Sequence, residues 1–497
     1  MTDTFFAKVK NRPVRLMLIN TPFRDMYGPI KVAAGRYFPL SLGYIASYCL
    51  SKGYDVQLID PEPQNIGYEG IKKKVKEYQP DIIGLTCATP NFGNAVTIAA
   101  MAKEVCGAII VAGGVHVTTY PEPALRTCKD IDVITLREGE ETMDELCQYL
   151  QGNIESLDKI QGIVFRGKDA FVNTGLRPFI TDLDKLPFPA YHLVDMSLYK
   201  PNVYTCKGSR TATIMTSRGC PGTCIYCASH KVLGRGFRPN SPEYVLRLIT
   251  HLVETYHANH IIFEDDVFTF DKERAKKICR ALIEKGLNKK IQWCCFSRVT
   301  SAEEELFSLM KEAGCYAVSF GIESGSDVML KNMKKGTTTA LNRKGLELCK
   351  KAGMRSIAFF VFGTPGETKE TIEETIHFAL ETRPTMAFFN ILSPYPGTEL
   401  FEYSFTKEEA DKIHDWKDFV SIGINPQLKH TNLTQDELQN AAASAFRRFY
   451  YNPKGMYGVL SSISSFNEFK ELSIGAYGLC LQMGEWMRRA TLAKFRG

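Results

Sequence analysis

Nowhere in the 497 residues does an uncharged apolar run approach the roughly 18 to 20 residues of a membrane span. The opening stretch MTDTFFAKVKNRPVRLMLIN lacks the apolar core and small-residue cleavage site of a secretory signal. No transmembrane segment and a cytoplasmic location are therefore expected. Charge of one sign is also scarce: 61 basic against 55 acidic residues leave a net +6, too little over this length to mark a nucleic-acid partner, and none is expected. Repeats and low-complexity tracts are missing as well. Cysteine is not scarce, but 15 of them scattered through a long chain without a secretory signal read as thiols, not as a disulfide framework. Only one group of them has ligand spacing.

What is present is alternation. Between Val14 and Leu150 the strand-like runs RLMLIN, DVQLID, DIIGLT, AIIVAGG and DVITL are separated by helix-length stretches such as 41–52, 71–78 and 94–105. That pattern predicts parallel strands covered by helices, with ligands at the carboxyl ends of the strands. We read residues 1–150 as a Rossmann-like domain and 151–205 as a linker packed on the surface, containing a hairpin that turns at Gly167-Lys168-Asp169. From Thr211 six further strands, at 212–216, 260–263, 291–296, 317–321, 357–362 and 387–392, alternate with helices and predict a partial (β/α)6 barrel over 206–400. Ser241 followed by Pro242 is the expected cap of the first long barrel helix. Residues 401–497 are expected to be mostly helical, ending in a basic stretch with Arg488, Arg489, Lys494 and Arg496. The fold class is α/β throughout the first two domains.

Directly after the first barrel strand, TSRGCPGTCIYCAS sets Cys220, Cys224 and Cys227 in a C-x3-C-x2-C pattern. Three thiolates that close together converge on one metal centre. A [4Fe-4S] cube needs only three if its fourth iron takes an outside ligand; a Cys3His zinc site with His230 is the alternative. Cys294 and Cys295 lie inside a strand pattern and read as core thiols.

This loop, with Tyr226 just before the third cysteine, resembles that of the radical S-adenosylmethionine (SAM) superfamily. The resemblance implies a [4Fe-4S] cluster on Cys220, Cys224 and Cys227 that binds S-adenosylmethionine through its open iron and cleaves it to a deoxyadenosyl radical. It further implies that one of Glu264, Asp265 and Asp266 contacts the methionyl amine and that Arg298 clamps the carboxylate. Glu323 and Ser324, in GIESG, would meet the ribose, and Gly363, in FGTPGE, would lie beside the adenine.

An amino-terminal α/β domain ahead of such a barrel resembles the cobalamin-binding branch of that superfamily, which includes methylases and an anaerobic magnesium-protoporphyrin cyclase group. Where the histidine-bearing cobalamin domains carry Asp-x-His-x-x-Gly, this chain has Asp25-Met26-Tyr27-Gly28, so cobalamin is expected without a histidine lower ligand. Thr86, Gly113, Gly114 and Glu138, at the ends of the third to fifth strands, are the expected contacts; His116 is not expected to bind cobalt. The resemblance implies methylation of an unactivated carbon, with cyclisation, rearrangement or carbon–carbon coupling as the alternative chemistry and a zinc- or nucleotide-binding module as the non-catalytic one. The implied partners are a small-molecule, lipid or porphyrin-type substrate and an electron donor such as flavodoxin or ferredoxin.

Overall fold

The architecture comes from a computed structural model of the chain. It describes residue 9 and residues 12–475, except 33, 203–204, 206–209, 421–430, 454–457, 459, 462, 464–465 and 467. The basic stretch with Arg488, Arg489, Lys494 and Arg496 lies outside the described residues. Among the described residues no helix is long and apolar enough to cross a membrane.

Seven strands form the first sheet: β1 (Arg15–Ile19), β2 (Asp55–Ile59), β3 (Ile82–Thr86), β4 (Ile109–Gly113), β5 (Val133–Thr135), β6 (Ile163–Arg166) and β7 (Phe171–Asn173). Their order is β2-β1-β3-β4-β5-β6-β7. The first five are parallel, and the order reverses between β1 and β3, where ligands of such sheets bind. In β1, Leu16 and Leu18 enter one core while Met17 and Ile19 enter the other. Such burial on both faces is why the strand reads as a continuous apolar run.

The expected surface linker is corrected here. Its hairpin, β6 and β7, adds antiparallel strands to the edge of β5, which uses up backbone groups that an open edge would leave unpaired. Further along, the Tyr191 hydroxyl donates to the Thr213 carbonyl at 2.7 Å and the Tyr199 hydroxyl to Asp60 at 2.9 Å. The segment thus ties the two sheets together.

The second sheet is all parallel and runs in chain order: β8 (Thr211–Ile214), then, past a two-stranded ribbon of β9 (Ser217–Arg218) and β10 (Arg238–Pro239), β11 (His260–Phe263), β12 (Gln292–Ser297), β13 (Cys315–Glu323), β14 (Arg355–Phe362) and β15 (Met386–Ile391). This is the expected six-stranded partial barrel. The helix Pro242–Tyr256 begins where the sequence indicates, with Ser241 Oγ accepting the Tyr244 amide at 3.1 Å, and it buries Val245, Leu248, Ile249 and Leu252. Side chains of both sheets belong to one continuous apolar core, in which Leu16, Tyr191, Ile214 and Phe263 all take part. After β15 the chain is helical at Glu399–Ser404, Lys407–Ala410 and Gln435–Tyr450.

Candidate functional site

The three-cysteine loop leaves the end of β9 through Gly219, whose φ of 92° suits glycine. Cys220, Cys224 and Cys227 are half-buried, whereas Cys294, Cys295 and most of the other described thiols are buried outright. Between Cys224 and Cys227, Ile225 moors the loop: its amide donates to the Met333 carbonyl at 3.1 Å and its carbonyl accepts the Leu400 amide at 2.9 Å. Its side chain packs with Met329, Leu330, Met333 and Leu400. Gly222 keeps the bay open, because a Cβ there would stand 2.9 Å from Arg298 Nη1, 3.3 Å from Cys220 Sγ and 3.9 Å from Cys224 Sγ. Among the described residues no three His, Cys, Asp or Glu side chains are drawn around the point a single ion would take. Cys220 and Cys224 thus edge one bay beside Arg298, and three loop thiolates are the donor set of a [4Fe-4S] cluster with one open iron.

Around the barrel mouth the expected cofactor residues divide. Glu264, just past β11, is half-buried with no hydrogen-bond partner for its carboxyl group among the described residues; burial, with Asp265 beside it, pushes its pKa up to about 7. Asp265, fully buried, accepts the Thr216 hydroxyl at 2.8 Å, the Thr216 amide at 3.1 Å and the Ser217 hydroxyl. It fixes the chain leading to the cysteine loop. Asp266 is exposed and accepts Ser229 Oγ at 2.6 Å, beside that loop.

Arg298 follows β12 and lies against the Gly222 bay, with Nη2 donating to the Lys335 carbonyl. Glu323 ends β13 in a left-handed conformation (φ 65°) and pairs with Lys335 Nζ at 2.6 Å; Lys335 in turn donates to the Tyr226 hydroxyl at 3.3 Å. Ser324 is a correction to the expected ribose contact. It is wholly buried, with its hydroxyl spent on Thr375 Oγ1 at 2.9 Å and on the Ser326 amide at 3.1 Å. Gly363 has the φ of 91° that demands glycine, and its amide already donates to Glu367.

Lys335 escaped the sequence reading because Lys334-Lys335 looks like a solvated charge pair. Only Lys334 behaves so, pairing at the surface with Glu399; the next residue turns inward.

In the first domain, Thr86, Gly113, Gly114 and Glu138 meet at the carboxyl ends of the strands and line a cavity of about 150 Å³, which Met215 and Arg218 of the barrel side close. Gly114 (φ 107°) is there for backbone closeness: a Cβ would stand 2.7 Å from the Cys87 carbonyl. Glu138 departs from its expected role. Its side chain is 6% exposed and accepts Arg218 Nη1 at 2.9 Å, Arg238 Nη1 at 2.8 Å and the Ile180 amide at 2.9 Å. Arg218 also holds Glu140 at 2.6 Å. Burial disfavours the guanidinium charge, but Glu140 and Glu138 outweigh it and hold its pKa above the ordinary value. Because Arg218 is two residues before Cys220, this buried network ties the floor of the first domain to the cysteine loop.

No histidine stands in the loop after β1. His116 is fully buried between Phe92 and Trp416 and kept neutral by burial, which pushes its pKa down to about 3.

A parallel sheet with a cavity at its strand ends, joined to a six-stranded partial barrel whose first strand leads to a three-cysteine loop, is the layout of a radical SAM protein carrying a cobalamin-type domain. Family models agree: that of the radical SAM superfamily matches residues 214–379 and that of the B12 binding domain residues 28–147. The chain belongs to this family. It is 35% identical to an uncharacterized methyltransferase of Pyrococcus horikoshii over 84% of this chain and 88% of that protein. It is 30% identical to the anaerobic magnesium-protoporphyrin IX monomethyl ester cyclase of Cereibacter sphaeroides, over 84% and 68% of the two chains. The fold matches that of the radical S-adenosylmethionine methyltransferase TsrM from Kitasatospora setae, solved with cobalamin and a [4Fe-4S] cluster, at a TM-score of 0.70, with 16% identity and 97% and 100% of the two chains covered. The cofactors of this family are a [4Fe-4S] cluster, S-adenosylmethionine and cobalamin, and its members include methyltransferases and cyclases.

Proposed function

We propose that this enzyme transfers a methyl group to an unactivated carbon of a small-molecule substrate of lipid or porphyrin type. The observation that carries the reading is the adjacency of the two sites: Arg218, which closes the first-domain cavity, stands two residues before Cys220. When bound, the cluster with S-adenosylmethionine supplies radical chemistry and cobalamin supplies the methyl group.

The chain's own residues bind and orient. Cys220, Cys224 and Cys227 are the proposed cluster ligands. Glu264 takes the methionyl ammonium; Arg298 and Lys335 offer cations for the carboxylate. Glu323 is held by Lys335 and Tyr226 where a ribose hydroxyl would approach. Thr86, Gly113 and Gly114 admit the cobalamin tail, and Glu138, with both arginines, positions instead of binding. An external electron donor of flavodoxin or ferredoxin type, acting in the cytoplasm, completes the cycle.

A second reading, cyclisation or coupling without net methylation, is favoured by the likeness to the cyclase. The test is anaerobic purification with hydroxocobalamin, followed by turnover with methyl-deuterated S-adenosylmethionine. The expected result is about four irons per chain, lost when Cys220, Cys224 and Cys227 are all changed to Ala, together with cobalt and a labelled product. Product without label selects the second reading; zinc without iron ends both.

A further inference from the structure

The barrel wall carries a feature that the cofactors do not use. On the helix side of the second sheet, Cys295, Phe320, Phe360 and Ala387 join the main core. On the opposite, inner side, Ile262, Cys294, Tyr316, Ala317, Ile357 and Met386 make a small separate apolar floor, with Tyr37 and Leu472 packed against it from within the chain and Phe359 and Phe388 completing it. Above that floor three phenylalanines from different strands form a ladder. Phe359 stacks on Phe388 at 5.2 Å between ring centroids and 19° between planes, and Phe296 on Phe359 at 6.5 Å and 27°.

The register explains why the ladder crosses β13. Opposite Phe296 stands Ser319 and opposite Phe359 stands Gly321, and these two small residues leave the rings room to meet. The ladder ends at Phe296, which is 37% exposed. It runs close to the polar rim, for a Cβ on Gly321 would stand 2.7 Å from Lys335 Nζ.

We propose that the Phe296–Phe359–Phe388 ladder is the platform on which the substrate lies, and that it selects a flat, conjugated ring system. The proposal rests on the radical reading only in placing the chemistry at the neighbouring rim. Offset stacking rewards a planar π-system beyond its apolar area, whereas a flexible chain gains area alone and loses rotamer freedom on binding. Phe296 is the open rung, and a planar ligand extends the stack there. Charged groups gather at the rim, Glu264 and the Glu323–Lys335 pair, with only the small Ser319 beside the ladder itself, which suits a ring whose substituents carry its polarity.

The test is equilibrium binding to the anaerobically loaded protein. The probes are protoporphyrin IX, which is flat, and protoporphyrinogen IX, which has the same skeleton with saturated, bent bridges. Protoporphyrin should give a saturable Soret shift, and an equal concentration of protoporphyrinogen should not displace it. Phe296→Leu, which keeps apolar volume but loses the ring, should weaken binding by about tenfold, while Phe296→Trp should retain it. Unchanged affinity in Phe296→Leu, displacement by protoporphyrinogen as effective as by protoporphyrin itself, or no saturable binding by the wild type would overturn the platform. Iron content read on the same samples separates the two readings. Iron-free protein with Phe296-dependent binding defeats the radical reading and keeps the platform, and iron-replete protein without it does the reverse.

Discussion

Replacing Arg218 with Met keeps the length and apolar stem of the side chain but removes the guanidinium on which two carboxylates depend. Glu140, 4% exposed on its side chain, loses the one ion-pair partner it has among the described residues, and Glu138 keeps Arg238 and the Ile180 amide. Removing one member of a buried pair strands a charge in a medium that cannot solvate it and costs about 3 to 5 kcal/mol. With roughly 2 to 4 °C lost per kcal/mol in a unit of this size, the thermal midpoint should fall by between about 6 and 20 °C. The assay is thermal unfolding by circular dichroism of the anaerobic protein, with a second variant, Glu140→Gln, and the double variant. Because the two positions share one interaction, the double variant should lose less than the sum of the singles. A loss below about 1 kcal/mol, the range of an exposed ion pair, together with strict additivity, would refute the claim that the network is buried and shared.

Two further outcomes follow from the site. Glu264 has a pKa near 7 and must be ionised to pair with an ammonium, so S-adenosylmethionine affinity should rise as pH climbs from 6 to 8; Glu264→Gln should flatten that profile, and a profile identical in both proteins would exclude the pairing. With no histidine in Asp25-Met26-Tyr27-Gly28, bound cob(II)alamin labelled with 15N in its own benzimidazole base should show no axial 14N splitting in its paramagnetic resonance spectrum, and observing 14N splitting would point to a nitrogen ligand elsewhere in the chain.

Elements set by local pattern were readable from the chain. The alternating apolar runs become β1 to β5 and the barrel strands within a few residues, and Ser241-Pro242 begins its helix where capping chemistry requires. The cysteine loop was legible because its ligands are close in sequence. Roles that depend on distant partners were not. Glu138 looked like a cofactor contact because its strand ends at the right place, but its arginines come from a ribbon some eighty to one hundred positions later. Asp265 and Ser324 fell to the same cause: Thr216, Ser217 and Thr375 satisfy them from other turns of the barrel. The carboxyl group of Glu264, next to Asp265, has no hydrogen-bond partner among the described residues, and nothing in the triplet Glu-Asp-Asp says which of the three is left so. The hairpin at 163–173 was recognised as a hairpin; that it would join β5 depended on an open edge that only the assembled sheet presents.

The tie at Ile225 has a consequence for sequence drift. Both bonds that hold the cysteine loop there are made by the peptide backbone, to Met333 and Leu400, so the anchor tolerates any apolar side chain at position 225 that still packs against Met329, Leu330 and Leu400. Only proline, which lacks the amide proton, would cut it. Substitutions at that position can therefore reshape the pocket behind the loop while the three thiols keep their places, leaving a family free to retune what surrounds its metal centre without rebuilding the centre itself.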